Sequence, residues 1–123
     1  MLFDSLLQHA ANTPDDVAVI DDTGQYTCRT LAAAVTALGM YIRTQTTRPH
    51  VGIFLPPSAG FVASFYGTLL AGKAVVPINY LLGDREIAHV IQDSGIDTVI
   101  SAPPLAAKLQ NTRLKVIDLS LLP

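Results

Sequence analysis

Three residues of this chain have the types and spacing of a phosphate-binding site. Gly67 and Gly72 are separated by four residues and Lys73 follows directly, giving G-x-x-x-x-G-K within YGTLLAGKAVVP, Tyr66 to Pro77. A working phosphate loop needs a strand leading in and a flexible backbone whose N–H groups wrap the anion. It also needs a Ser or Thr for magnesium and a helix leading out. Here Ala74 stands where the hydroxyl belongs, and Leu69 and Leu70 fill the loop. Upstream, Phe61, Val62, Phe65, Tyr66, Leu69 and Leu70 recur at helical spacing. The order is therefore helix then strand, the reverse of what the loop requires. Gly72 reads as a helix C-terminal cap instead.

The remaining candidates for chemistry are sparse. His9, His50 and His89 lie far apart, with no second ligand at H-x-x-x-H spacing, and read as surface or boundary residues. Asp15-Asp16 and Asp21-Asp22 fall in turns, where Asp bonds its own backbone, and do not read as a catalytic dyad. Ser58 and Ser94 lack the G-x-S-x-G elbow. Cys28 lacks a nucleophile motif and reads as a small buried hydrophobe. No glycine-dense loop follows a strand. The sequence assigns no catalytic, cofactor-binding or metal-ligating residue within these positions.

The elements that would have to position any site are clearer. A helix from about Phe3 to Ala11 ends at Asn12-Thr13-Pro14, since proline disfavours helix in the residue before it. VAVID, the DDTGQ turn and Tyr26 predict a β-hairpin over Val17 to Tyr26. Thr27 is placed to cap a helix from Arg29 to Arg43, with Leu31, Val35, Leu38 and Ile42 on one face. Gly39 weakens that helix by up to about 1 kcal/mol relative to Ala, which a close helix contact would offset. HVGIFLP, between Pro49 and Pro56, predicts a buried parallel strand.

Ser58 then caps a second long helix that Gly72 ends, and Ala74 to Ile78 makes the next strand. Asp84 is expected to cap a further helix, with Glu86 in its first turn, Ile87, Val90 and Ile91 on its apolar face and Gly95 at its end. A strand over Thr98 to Ser101, a short helix started by Pro103-Pro104 and a strand over Leu114 to Leu119 complete the pattern. The alternation predicts an α/β fold: a doubly wound, mostly parallel sheet flanked by helices, with an N-terminal β-hairpin.

Composition bounds the rest. The 123 residues fit one α/β domain spanning 1–123. A net charge of −2 with no basic run gives a nucleic-acid surface no support. Residues 61–78 form the longest weakly polar run, but Ser64, Thr68, Gly72 and Lys73 interrupt it, and a helix-to-strand switch explains it better than a membrane span. With one cysteine and no charged-then-apolar leader, a cytoplasmic location is the expectation. Half the residues are hydrophobic and only 15% are charged, which predicts apolar surface facing a partner.

From Val51 to Ser101 the sequence resembles the N-terminal part of the adenylate-forming acyl-CoA synthetases, a superfamily that includes luciferases and the adenylation domains of nonribosomal peptide synthetases. The most specific piece is LLAGKAVVPIN, similar to the family's A-G-x-x-x-V-P-[IL]-[ND] turn, followed by an acidic helix start and D-S-G. TPDDVAVID and YTCRTL, Tyr26 to Leu31, resemble the segments before it. Thr30 stands where the family often has Glu, so the reciprocal capping box is lost.

The resemblance implies a first subdomain of an ATP-dependent acyl- or aryl-CoA synthetase, with ATP, magnesium and coenzyme A acting in the full-length enzyme and no cofactor held by this chain. The family's phosphate loop ending in P-K-G, magnesium motif, ribose-binding aspartate and catalytic lysine match no position here. The chain is thus expected to be a fragment, inactive alone, whose partner is the remainder of the ligase. The alternative is a stand-alone module that associates with itself through exposed apolar faces.

Overall fold

The computed structural model describes residues 2–122, without the side chains of residues 2 and 3. Helix α1 (Leu2–Asn12) ends before Pro14. Strands β1 (Val17–Asp21) and β2 (Gly24–Thr27) then form the expected antiparallel hairpin, with a bulge between Val17 and Val19. Its turn needs Gly24, whose φ of +141° is closed to most L residues.

Helix α2 (Cys28–Gln45) starts as the sequence predicts, the Thr27 hydroxyl accepting from the Thr30 amide at 3.2 Å. It runs two residues further than expected, to the C-cap Thr46, whose amide still bonds Ile42. Strand β3 (His50–Phe54) leads to helix α3 (Ala59–Leu70), capped by Ser58 through the Phe61 amide at 3.2 Å. Strand β4 (Ala74–Pro77), helix α4 (Asp84–Ser94), strand β5 (Thr98–Ser101) and strand β6 (Lys115–Asp118) follow. The segment Leu105–Leu109 and the residues after β6, Leu119–Leu121, are 3₁₀ turns.

Two expectations are corrected. The cap of α4 is Gly83, with no side-chain bond, and Asp84 is the first helical residue. Its first-turn charge, with that of Glu86, still complements the helix dipole. On α3 the fully buried residues are Ser64, Gly67 and Thr68, while Phe61, Val62, Phe65, Tyr66, Leu69 and Leu70 are only half-buried. The reason is crowding against α2. A β-carbon on Gly39 would lie 3.0 Å from the Gly67 carbonyl oxygen, so small residues hold the contact and large ones splay to either side.

Strands β3, β4, β5 and β6 form a parallel sheet in the order β4-β3-β5-β6. Alternation along β3 divides its side chains. Val51, Ile53 and Leu55 join Leu38 and Ile42 of α2 in one core, against which Phe61 and Phe65 of α3 pack. Phe54 points the other way, into a core with Ile87 of α4, Ile78, Ile96 and Leu109. Helices thus cover both faces. Leu6, Leu31 and Val35 form a third cluster that takes in Val19 of the hairpin.

Candidate functional site

Two crossovers set the place where a ligand site is expected. The chain moves from β3 through α3 to β4 on one side, then returns through α4 to β5 on the other side of β3. The crevice beyond the carboxyl ends of β3 and β5 is the topological switch point, where open α/β sheets bind ligands. A cleft of about 780 Å³ lies there. Leu55, Pro56 and Ser58 line it after β3, and Ala102, Pro103 and Pro104 after β5. Leu119 and Ser120 close it beyond β6, and Asp21, Thr23 and Tyr26 of the hairpin form a further wall.

The donors at this cleft do not suit a nucleotide phosphate. The α3 N-terminus would be the natural anion site, but two of its donors are already taken. Ala59 N–H donates to Asp21 Oδ2 at 2.8 Å, and Phe61 N–H to Ser58 Oγ at 3.2 Å. Pro56 and Pro57 supply no N–H, and no glycine-rich turn follows β3. Asp21 Oδ1 also accepts from the Thr23 hydroxyl at 2.6 Å and from the Thr23 amide at 2.8 Å. These bonds, first the Thr23 hydroxyl and then the Ala59 amide, hold the Asp21 carboxyl below its usual range. An incoming phosphate would therefore meet a carboxylate. Among the described residues no group of three His, Cys, Asp or Glu side chains is placed to hold a metal ion.

The phosphate-loop look-alike lies at the other end of the sheet. Gly72 ends α3 at φ +79°, with its own N–H on the Leu69 carbonyl and Lys73 N–H on that of Thr68. This double bond pattern is a Schellman cap. Lys73 Nζ donates to the Arg48 carbonyl at 2.7 Å, beside the amino ends of β3 and β4. Gly67 sits in the α2–α3 crossing. The structure thus gives all three residues packing or capping work.

Each remaining candidate also has a structural place. Cys28 is a buried free thiol in the first turn of α2. His89 lies 3.1 Å from Asp93 on the exposed face of α4, and His9 and His50 are exposed and apart from it. Asp15 pairs with Arg29 at 3.4 Å. The long reach of Asp21 to Ala59 carries no local sequence signal; only its turn with Thr23 has one, an Asp at a turn start.

Residues 6–121 match the family described as AMP-binding enzyme. The chain belongs to that family. A component of the plipastatin synthase of Bacillus subtilis (strain 168) is 31% identical over 85% of this chain, which spans only 3% of that protein. The nonribosomal peptide synthetase FmoA3, in its alpha-methyl-L-serine-AMP bound form, superposes with a TM-score of 0.88 at 26% identity, over 96% of this chain and 14% of FmoA3. VinN, solved with 3-methylaspartate, gives a TM-score of 0.89 at 26% identity, over 98% of this chain and 34% of VinN. The α/β fold with its N-terminal hairpin is that of adenylate-forming N-terminal subdomains, as the sequence predicts. Among the described residues no helix is long and apolar enough to cross a membrane.

Proposed function

We propose that this chain is the N-terminal subdomain of an ATP-dependent enzyme that activates a carboxylate by adenylation. In the whole enzyme the carboxylate attacks ATP, an acyl-adenylate forms, pyrophosphate leaves and the acyl group then passes to a thiol. ATP and magnesium serve that reaction from residues outside this chain. The observation that carries the reading is the family match along residues 6–121. The switch-point cleft supports a scaffolding share of the work, because its anion-binding end is filled by Asp21. The partner in this reading is the nucleotide-binding remainder of the same enzyme.

For the carboxylate we favour an amino acid. FmoA3 is a nonribosomal peptide synthetase solved with an aminoacyl adenylate, and VinN was solved with an amino acid. An acyl or aryl acid transferred to coenzyme A is the second reading, favoured by the wording of VVPINYLLGDREIAHVIQDSG, Val75 to Gly95. Carboxylate-dependent ATP–pyrophosphate exchange tests both. The full-length enzyme should exchange with one class of acid, amino or acyl, and the 123-residue chain alone with neither. Exchange by the chain alone would overturn the scaffolding role; no exchange by the full-length enzyme with any acid would overturn the adenylation reading.

A further inference from the structure

The β1–β2 hairpin is a separate two-stranded sheet, hydrogen-bonded to no strand of the larger one among the described residues. Isolated two-stranded hairpins are marginal in water, so something else must hold this one in place. At its base, Cys28 N–H bonds the Asp16 carbonyl at 2.8 Å and Arg29 N–H that of Pro14 at 3.0 Å. Midway, Val19 packs against the Leu6, Leu31 and Val35 cluster, while Val17 and Ile20 stay exposed. At the turn end, the attachment is the bond from Ala59 N–H to Asp21 Oδ2.

That attachment has a particular geometry. Ala59 is the first helical residue of α3, and its amide is one of those a helix cannot satisfy internally. A carboxylate there is favoured by the helix dipole as well as by the hydrogen bond. The same Asp21 carboxylate ties down its own turn through Thr23, whose hydroxyl in turn meets the Tyr26 hydroxyl. Asp21, Thr23 and Tyr26 together make one wall of the switch-point cleft, and Ala59 lines the same cleft from α3.

We propose that Asp21 is a clasp that holds the hairpin closed over the switch-point cleft, and that breaking its bond to Ala59 swings the turn end away and opens the cleft. The hairpin is then a strap, hinged at the Asp16–Cys28 end and fastened at Asp21. This does not depend on the adenylation reading.

The bond can be removed from either side. Ala59→Pro deletes the donor at the one helical position that proline suits, since its φ is preset for the first turn and the preceding Ser58 is already extended. Asp21→Ala deletes the acceptor. Measured by hydrogen exchange with the full chain, amides of residues 17–27 should exchange roughly tenfold faster in either variant, the order expected for losing one charge-assisted bond. Amides of β3 and β5 should keep their protection, and the double variant should be no faster than Asp21→Ala, which also loses the Thr23 bonds.

Faster exchange in Asp21→Ala with none in Ala59→Pro would confine the carboxylate to its own turn and overturn the clasp. Equal acceleration across β3 and β5 in Ala59→Pro would also overturn it, as a general loss of stability. The cover is read separately, from maleimide labelling of Ala102→Cys in a Cys28→Ser background. Labelling should quicken when Ala59→Pro is added; an unchanged rate with a released hairpin would mean that the hairpin does not close the cleft.

Discussion

Gly39 and Gly67 meet where α2 crosses α3, and the consequence reaches beyond two small residues. A β-carbon on Gly39 would lie 3.0 Å from the Gly67 carbonyl oxygen and 3.2 Å from Leu70 Cδ2, while one on Gly67 would lie 3.3 Å from Leu38 Cβ and Cγ. Neither glycine has a positive φ, so Ala would suit the backbone of both. Helix propensity alone favours Gly39→Ala by up to about 1 kcal/mol. Overpacking a close contact costs about 1–3 kcal/mol, and here the obstacle is backbone, which yields least. Packing should win, leaving Gly39→Ala less stable by about 1 kcal/mol. Urea unfolding with an unchanged slope reads this directly; a more stable variant would show that the helices separate freely. The same crossing gives Gly67 of the phosphate-loop look-alike a packing role, while Lys73 Nζ donates to the Arg48 carbonyl.

At the scale of elements, the C-terminal end of α2 is tied to the start of β5. Thr46, buried at the C-cap, donates its hydroxyl to Asp97 Oδ1 at 2.6 Å and accepts the Arg48 amide at 3.0 Å. Thr98 adds a bond to the same carboxylate oxygen at 3.0 Å, and Arg48 Nε lies 3.8 Å from the other. The Thr46 bond chiefly, then Thr98 and the Arg48 charge, hold the Asp97 carboxyl below its ordinary 3.8 against an opposing effect of burial. A carboxylate with a depressed folded pKa stabilises above its unfolded value and loses that contribution as pH falls through the folded one. Thr46→Val should therefore cost about 1 kcal/mol at neutral pH, a figure kept low because the pair is partly solvated. The deficit should narrow below pH 3.8. Urea midpoints at neutral and acid pH compare the two, and an equal deficit at both would mean that the carboxylate is irrelevant.

What the sequence made legible follows from range. Caps and stops act within a few residues, so Thr27, Ser58, Gly72 and Gly95 mark helix ends that the structure retains. Asp84 misled because an N-cap side chain and a first-turn acid look alike in sequence, and Gly83 serves as cap without one. Thr46–Asp97 and Asp21–Ala59 join residues 51 and 38 positions apart, and no local pattern announces such pairs. The helical stripe on α3 was visible, but the choice of its small face for burial depended on a partner glycine in another helix.

For the whole molecule, α3 sets the problem. It carries no charged side chain, and the apolar residues around it stay half-buried. Helices apolar on every side belong in interiors. Elsewhere Leu81 is 76% exposed, held out by a turn in which its amide bonds Asn79 Oδ1 at 2.9 Å, and Leu121 is 80% exposed. Among the described residues, strands β4 and β6 end the sheet with unpaired edges, which invite pairing with another chain. Pro77 removes one donor from the β4 edge, a partial safeguard. Apolar surface of this kind asks for a cover, and in the absence of one a second copy is the expected cover. The chain by itself should accordingly associate as its concentration rises, with an apparent mass by light scattering well above that of one chain. Leu81→Glu combined with Leu121→Glu should lower that mass, because a charge at each exposed leucine must be desolvated for the faces to meet. Circular dichroism should stay unchanged, since neither side chain contributes to a core cluster. A monomer across the whole concentration range would show that the exposed leucines and open edges are tolerated in water, and that no cover is needed for this fold to stand.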